Sequence, residues 1–119
     1  MYKIVRLRGT TSAGGALTVT APASIEGYLY AVIYDIGSFA AGVDVTISTV
    51  NSDAAQTHLT LTDANASATY YPRLAACGAT GSAETALTVL PPVLGQLKMV
   101  VAQGGNAKTG GVTCLIVEE

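Results

Sequence analysis

The chain reads as an all-β domain, an antiparallel sandwich or barrel of eight or nine short strands. Three observations predict this. Apolar and polar residues alternate with a period of two in most of the ordered-looking runs, as strand side chains do. Gly, Pro, Asn and Asp interrupt these runs frequently, at the spacing of turns in a multi-stranded β domain. No segment carries apolar residues at helical spacing. At 119 residues the chain is long enough for one core and too short for two, so residues 1–119 form a single domain.

Residues 2–8 alternate Tyr2, Ile4, Arg6 and Arg8 against Lys3, Val5 and Leu7, a first strand whose cations suit a sheet edge. Residues 9–15 are a small-residue turn, and 16–20 (ALTVT) a short second strand closed by Ala21-Pro22. Residues 25–35 make the third and longest strand. Gly27 within it marks a bulge or a close backbone approach. Its alternation sets Leu29, Ala31 and Ile33 against Tyr28, Tyr30, Val32 and Tyr34. Both sets are apolar, which places the strand centrally or against a second protein surface.

Residues 36–42 form a loop with Phe39, the only Phe, at its tip. Residues 43–50 return as a strand with Val43, Val45 and Ile47 on one face, and Asn51-Ser52-Asp53 is turn chemistry. Residues 56–62 (QTHLTLT) alternate His58, Thr60 and Thr62 against Thr57, Leu59 and Leu61. A break at 63–67 has room for one helical turn. Residues 68–73 (ATYYPR) are extended, with Pro72 excluding the centre of a sheet. A strand running into a loop fits 74–80, a linker 81–83, and a strand 85–90 stopped by Pro91-Pro92. Two apolar runs, 94–103 and 111–118, flank a Gly-rich stretch and read as a hairpin with a mobile tip.

Composition limits the partners. Charged residues make up 12% of the chain, about half of the roughly 25% usual in soluble domains. Interface cores are depleted of the same residues, so the surface favours association. The bland alternative is a neutral, Thr-rich β surface. Net charge is −2 and the six basic residues form no stripe, which argues against nucleic acid as a partner. No run approaches the roughly 20 apolar residues of a membrane-spanning helix. The N-terminal Met-Tyr-Lys-Ile has no apolar signal region, so synthesis and folding in a cytoplasm are expected.

Chemistry-bearing residues are sparse. Cys77 and Cys114 lie in no CxxC pair, and His58 has no partner at zinc-ligand spacing. Two reduced thiols are favoured, although a disulfide between them is not excluded by sequence. His58, Asp63 and Ser67 supply the residue types of a hydrolase triad, without a nucleophile elbow. A lone strand His is more often a satisfied structural residue, so no catalytic residue is assigned and the chain is expected not to be an enzyme. Asp63-Ala64-Asn65 opens like a calcium loop but lacks the Gly and the distant Glu, so it reads as a turn. Gly104-Gly105 precedes neither a helix nor a GKS/GKT signature. No cofactor and no metal are expected.

The aromatic set is skewed, with six Tyr, one Phe and no Trp. Tyr offers large contact area with a polar handle, which suits interfaces. The candidate interface residues are Tyr28, Tyr30, Tyr34, Phe39, Tyr70, Tyr71 and Arg73. For the strand tyrosines, packing on a second sheet and contact with another molecule are equally good readings. Tyr70 and Tyr71 are adjacent and must point to opposite faces, so one of them faces a partner or caps an edge.

Together, GYLYAVIYDIG, VDVTIST, HLTLTDANASATYYPR and LKMVVAQGGNA resemble small structural proteins of tailed bacteriophages, most closely the capsid decoration (cement) proteins. The resemblance covers roughly residues 25–117. It implies a β-barrel or jelly-roll-like sandwich that binds the outside of the phage head as a dimer or trimer and bridges major capsid subunits. The location implied is the capsid surface of the virion. The alternative is a carbohydrate-binding or adhesin-like β-sandwich, as in a phage fibre, with tyrosines stacking on sugar rings.

Overall fold

A computed structural model describes residues 2–50, 56–77, 81 and 83–118. They form ten strands: β1 (Tyr2–Thr10), β2 (Leu17–Thr20), β3 (Ile25–Asp35), β4 (Asp44–Val50), β5 (Gln56–Leu61), β6 (Ala68–Tyr70), β7 (Leu74–Cys77), β8 (Ala83–Val89), β9 (Pro92–Ala102) and β10 (Thr109–Val117). Among the described residues there is no helix, so the helical turn considered for 63–67 does not form. The turn expected at 51–53 and the loop at 78–80 lie outside the described residues.

The pairing has a simple logic. The chain folds on itself as one long antiparallel hairpin: β4 with β5 at the closed end, then β3 with β6, β2 with β9, and β1 with β10. Side-by-side pairing of β10 with β3 and of β9 with β4 then wraps this hairpin into two layers, β1-β10-β3-β6 and β2-β9-β4-β5. That nested order is the connectivity of a jelly roll, the eight-stranded solution to covering sheet edges without closing a barrel. The β7–β8 hairpin is an insertion between β6 and β9, and pairs with neither layer. The layers join at one corner, where Ile25 to Tyr28 of β3 pair with Pro92 to Gly95 of β9.

The inward faces of both layers share one core, including Leu7, Leu29, Val32 and Tyr34 from one side and Val45, Ile47, Leu97 and Met99 from the other. Cys114 sits in the same core as a free thiol, so it forms no bridge with Cys77. Burial pushes its pKa up to about 12.

Four expectations need correction. First, β3 does not keep one phase. Leu115 pairs with Ala31 but Ile116 pairs with Leu29, so Tyr30 is the extra residue of a β-bulge. Below the bulge Ile25 and Leu29 point inward; above it Val32 and Tyr34 do, and Ile33 is exposed. Tyr28 and Tyr30 therefore do not share a face with Val32 and Tyr34. Gly27 is not the bulge but the close approach: a Cβ there would lie 2.6 Å from the Val117 carbonyl oxygen.

Second, β9 and β10 are not a hairpin, because β3 lies between them. The Gly-rich stretch crosses between layers and is stitched down. Thr11 Oγ1 donates to the Gly105 carbonyl and accepts from the Lys108 amide, while the Ala40 amide donates to the Gly104 carbonyl. Third, Phe39 is not at an exposed tip but 6% exposed, its ring lying over Gly110, where a Cβ would fall 2.7 Å from it. Fourth, β5 carries a bulge at His58, since Ile47 pairs with Leu59 and Ser48 with Thr57. Strict alternation along β5 is lost there.

Candidate interaction face

The outer face of the β1-β10-β3-β6 layer follows from the register, because directly paired residues share a face. One row is Tyr2, Val117 and Tyr28; the next is Ile4, Leu115 and Ala31; the next is Arg6, Thr113, Ile33 and Thr69. The far end carries the Arg8–Asp35 ion pair, 2.8 Å between Nη2 and Oδ2. The Arg8 hydrogen bond, helped by the Gly37 amide, holds the Asp35 carboxyl below its usual range.

The bulge turns Tyr30 outward beside Ala31, which is buried without belonging to the core cluster. Around Tyr30 an aromatic group assembles from distant parts of the chain. The rings of Tyr2 and Tyr30 meet edge-on at 6.2 Å, and those of Tyr30 and Tyr71 at 6.0 Å. The Arg73 guanidinium lies 5.4 Å from the Tyr30 ring centroid, a cation–π geometry. It is anchored there by donating to the carbonyls of Tyr30 (3.0 Å) and Pro72 (2.6 Å).

The candidate interface residues therefore divide. Tyr28, Tyr30, Tyr71 and Arg73 come together on this face. Tyr34 and Phe39 are core residues. Tyr34 is 1% exposed and its hydroxyl donates to the Ala64 carbonyl at 2.9 Å. Burial, then the nearby Tyr70 and Asp35, push its pKa up to about 12. Tyr70 packs partly buried against the core while Tyr71 faces out, as their adjacency requires. Sequence reasoning missed Tyr2, Ile4 and Ile33, which are among the exposed side chains of the face. For the first two the signal was present: they alternate with the buried Val5 and Leu7.

No family model, no curated protein and no solved structure matches the chain. The face must be read from its own chemistry. Tyr2, Ile4, Tyr28, Tyr30, Ile33 and Tyr71 are each between 36 and 63% exposed, and neither Lys nor an acidic residue stands in the first two rows. The outer face of the other layer is more polar, presenting Thr18, Thr20, Thr46, Thr60 and Lys98 beside Val100 and the exposed Val50.

The remaining candidates are accounted for structurally. His58 Nε2 and Thr49 Oγ1 share a hydrogen bond, and burial lowers the His58 pKa. Ser67 Oγ accepts from the Ile36 amide, and the Asp63 amide donates to Asp44 Oδ1. The three triad-type residues thus bond to different partners and not to one another. Asn65 Oδ1 accepts from the Gly42 amide, so the 63–65 segment ties two loops together. Among the described residues no group of three His, Cys, Asp or Glu side chains could hold a metal ion, and no helix is long and apolar enough to cross a membrane.

Proposed function

We propose that this is a structural virion protein that binds the outer surface of a tailed-phage head and stabilises the shell by bridging major capsid subunits. The observation that carries the reading is the outer face of the β1-β10-β3-β6 layer, with six large, partly exposed apolar side chains in one area. Contiguous apolar patches of this kind mark protein contact surfaces. Tyr at the centre and Arg at the margin is the composition of interface anchors. On a symmetric lattice, weak contacts repeat and reinforce one another through effective concentration. Jelly-roll connectivity is shared by capsid and lectin domains, so it is compatible with the reading without carrying it.

The sugar-binding alternative needs an open aromatic platform. Arg73 already lies over Tyr30 and within 6.0 Å of the Tyr71 ring centroid, which favours protein contact over sugar stacking. The test is co-sedimentation with stripped, expanded tailed-phage heads, alongside light scattering of the free chain. Saturable binding that Tyr30→Glu or Ile33→Glu abolishes is the expected result. A stable monomer that binds no head but shows glycan affinity would replace the proposal with the alternative.

A further inference from the structure

The β1 edge presents a second site, bordering the aromatic face through Ile4 and Arg6 and argued without the functional reading above. Among the described residues, β1 pairs with β10 and with no other strand. The Thr11 amide donates to the Lys108 carbonyl, which fixes the phase of that ladder. Mutually bonded pairs in an antiparallel ladder recur every second residue, so Val5–Cys114 and Leu7–Val112 are bonded pairs. The N–H and C=O groups of Ile4 and Arg6 then point away from β10, towards the open side.

Beside them lies an apolar groove of about 220 Å³, between residues 3–6 and the segment 21–25. Its floor is the buried Val5, Ala21 and Ile25, and its rim carries the exposed Lys3 and Arg6. An open row of backbone donors and acceptors beside an apolar trough is what an added strand requires: the ladder supplies affinity and the trough takes alternate side chains.

We propose that the β1 edge accepts an extended, acidic segment of another protein chain, with apolar and acidic residues in alternation. The alternation follows from the edge itself. A residue beside Val5 drops its side chain into the groove and must be apolar, whereas a residue beside Arg6 shares the outer face and meets a guanidinium. A second copy of β1 is disfavoured, because that strand carries Lys3, Arg6 and Arg8 but no acidic residue and so offers the edge's cations no counter-charge.

The probe is a fluorescein-labelled Glu-Val-Glu-Val-Glu-Val-Glu amide, read by anisotropy at low salt against the intact chain. Saturable binding is expected, weakened at least tenfold by Arg6→Glu and equally by replacing every Glu of the peptide with Lys. Ile4→Pro removes an amide that does not serve the β10 ladder, so it preserves the fold and abolishes binding. Continued exchange protection of the Val5 and Leu7 amides verifies that fold. In the parent, the Ile4 and Arg6 amides should exchange freely and become protected when the peptide is added. Absence of saturable binding, undiminished binding by a folded Ile4→Pro variant, or equal affinity for the Lys peptide would each overturn the proposal. So would protection of the Ile4 and Arg6 amides before peptide is added, since a second copy would then already occupy the edge.

Discussion

Gly27→Ala isolates the closest approach between β3 and β10. The added Cβ would sit 2.6 Å from the Val117 carbonyl oxygen and 2.9 Å from Ile116 Cγ2. The Ile116 methyl can rotate, but the carbonyl belongs to the backbone of the Tyr28–Val117 and Leu29–Ile116 ladder. Relief therefore requires moving a strand, beside a register that the Tyr30 bulge already constrains. Forced overpacking of this kind costs about 1–3 kcal/mol. In a chain of 119 residues, 1 kcal/mol corresponds to about 4 °C in Tm, so the expected fall is about 4–12 °C. Gly14→Ala is the matched control. Its Cβ meets only Ser12 Oγ at 3.9 Å and its φ is not positive, so stability should be unchanged or rise by up to about 1 kcal/mol. Urea denaturation with an unchanged m-value reads both. A Gly27→Ala variant within about 0.5 kcal/mol of the parent, on the scale of ordinary surface changes, would refute the close-packed geometry.

Tyr34→Phe leaves the Ala64 carbonyl without its buried donor and should cost about 1–2 kcal/mol, measured by the same denaturation; in the parent, one phenol should resist ionisation until about pH 12 in an absorbance titration. His58 is held neutral by burial, with a folded pKa below its ordinary 6.5. The unfolded chain then binds a proton that the folded chain refuses, so stability is full above pH 6.5 and falls as pH drops through that value. His58→Gln keeps a partner for Thr49 and should flatten the slope just below pH 6.5, a window clear of Asp35, whose contribution is lost only as pH falls below about 3.8. Cys114, buried with its pKa pushed up to about 12, should be inert to a thiol reagent at pH 8 in a Cys77→Ser variant, and react fully in guanidinium chloride.

What was legible in the sequence was local. Residues 43–50 alternate strongly enough to announce a strand, because the period of two is a property of the strand alone, and 25–35 announces one by its run of β-branched and aromatic residues. What was not legible depended on partners. The hairpin reading of 94–103 with 111–118 followed from proximity in the chain, yet β10 finds a better neighbour in β3. The length of the Gly-rich connection, beyond the two to five residues usual in hairpins, was the available warning. Phe39 looked exposed because it sits among loop residues. Its burial depends on Gly110, 71 positions away, having no side chain.

The Tyr30 bulge is the hardest of these features to read from sequence, and the face depends on it. Without an extra residue, Tyr28, Tyr30, Val32 and Tyr34 would all point the same way. The strand would then either bury four large side chains in one layer or expose all four. With it, the lower half of β3 displays Tyr28 and Tyr30 while the upper half sends Val32 and Tyr34 into the core. The bulge exists only in relation to β10, where the pairing skips from Leu115–Ala31 to Ile116–Leu29. A run of tyrosines at every second position is therefore ambiguous by itself. The partner strand's register decides which rings hold the molecule together and which remain for something else to touch.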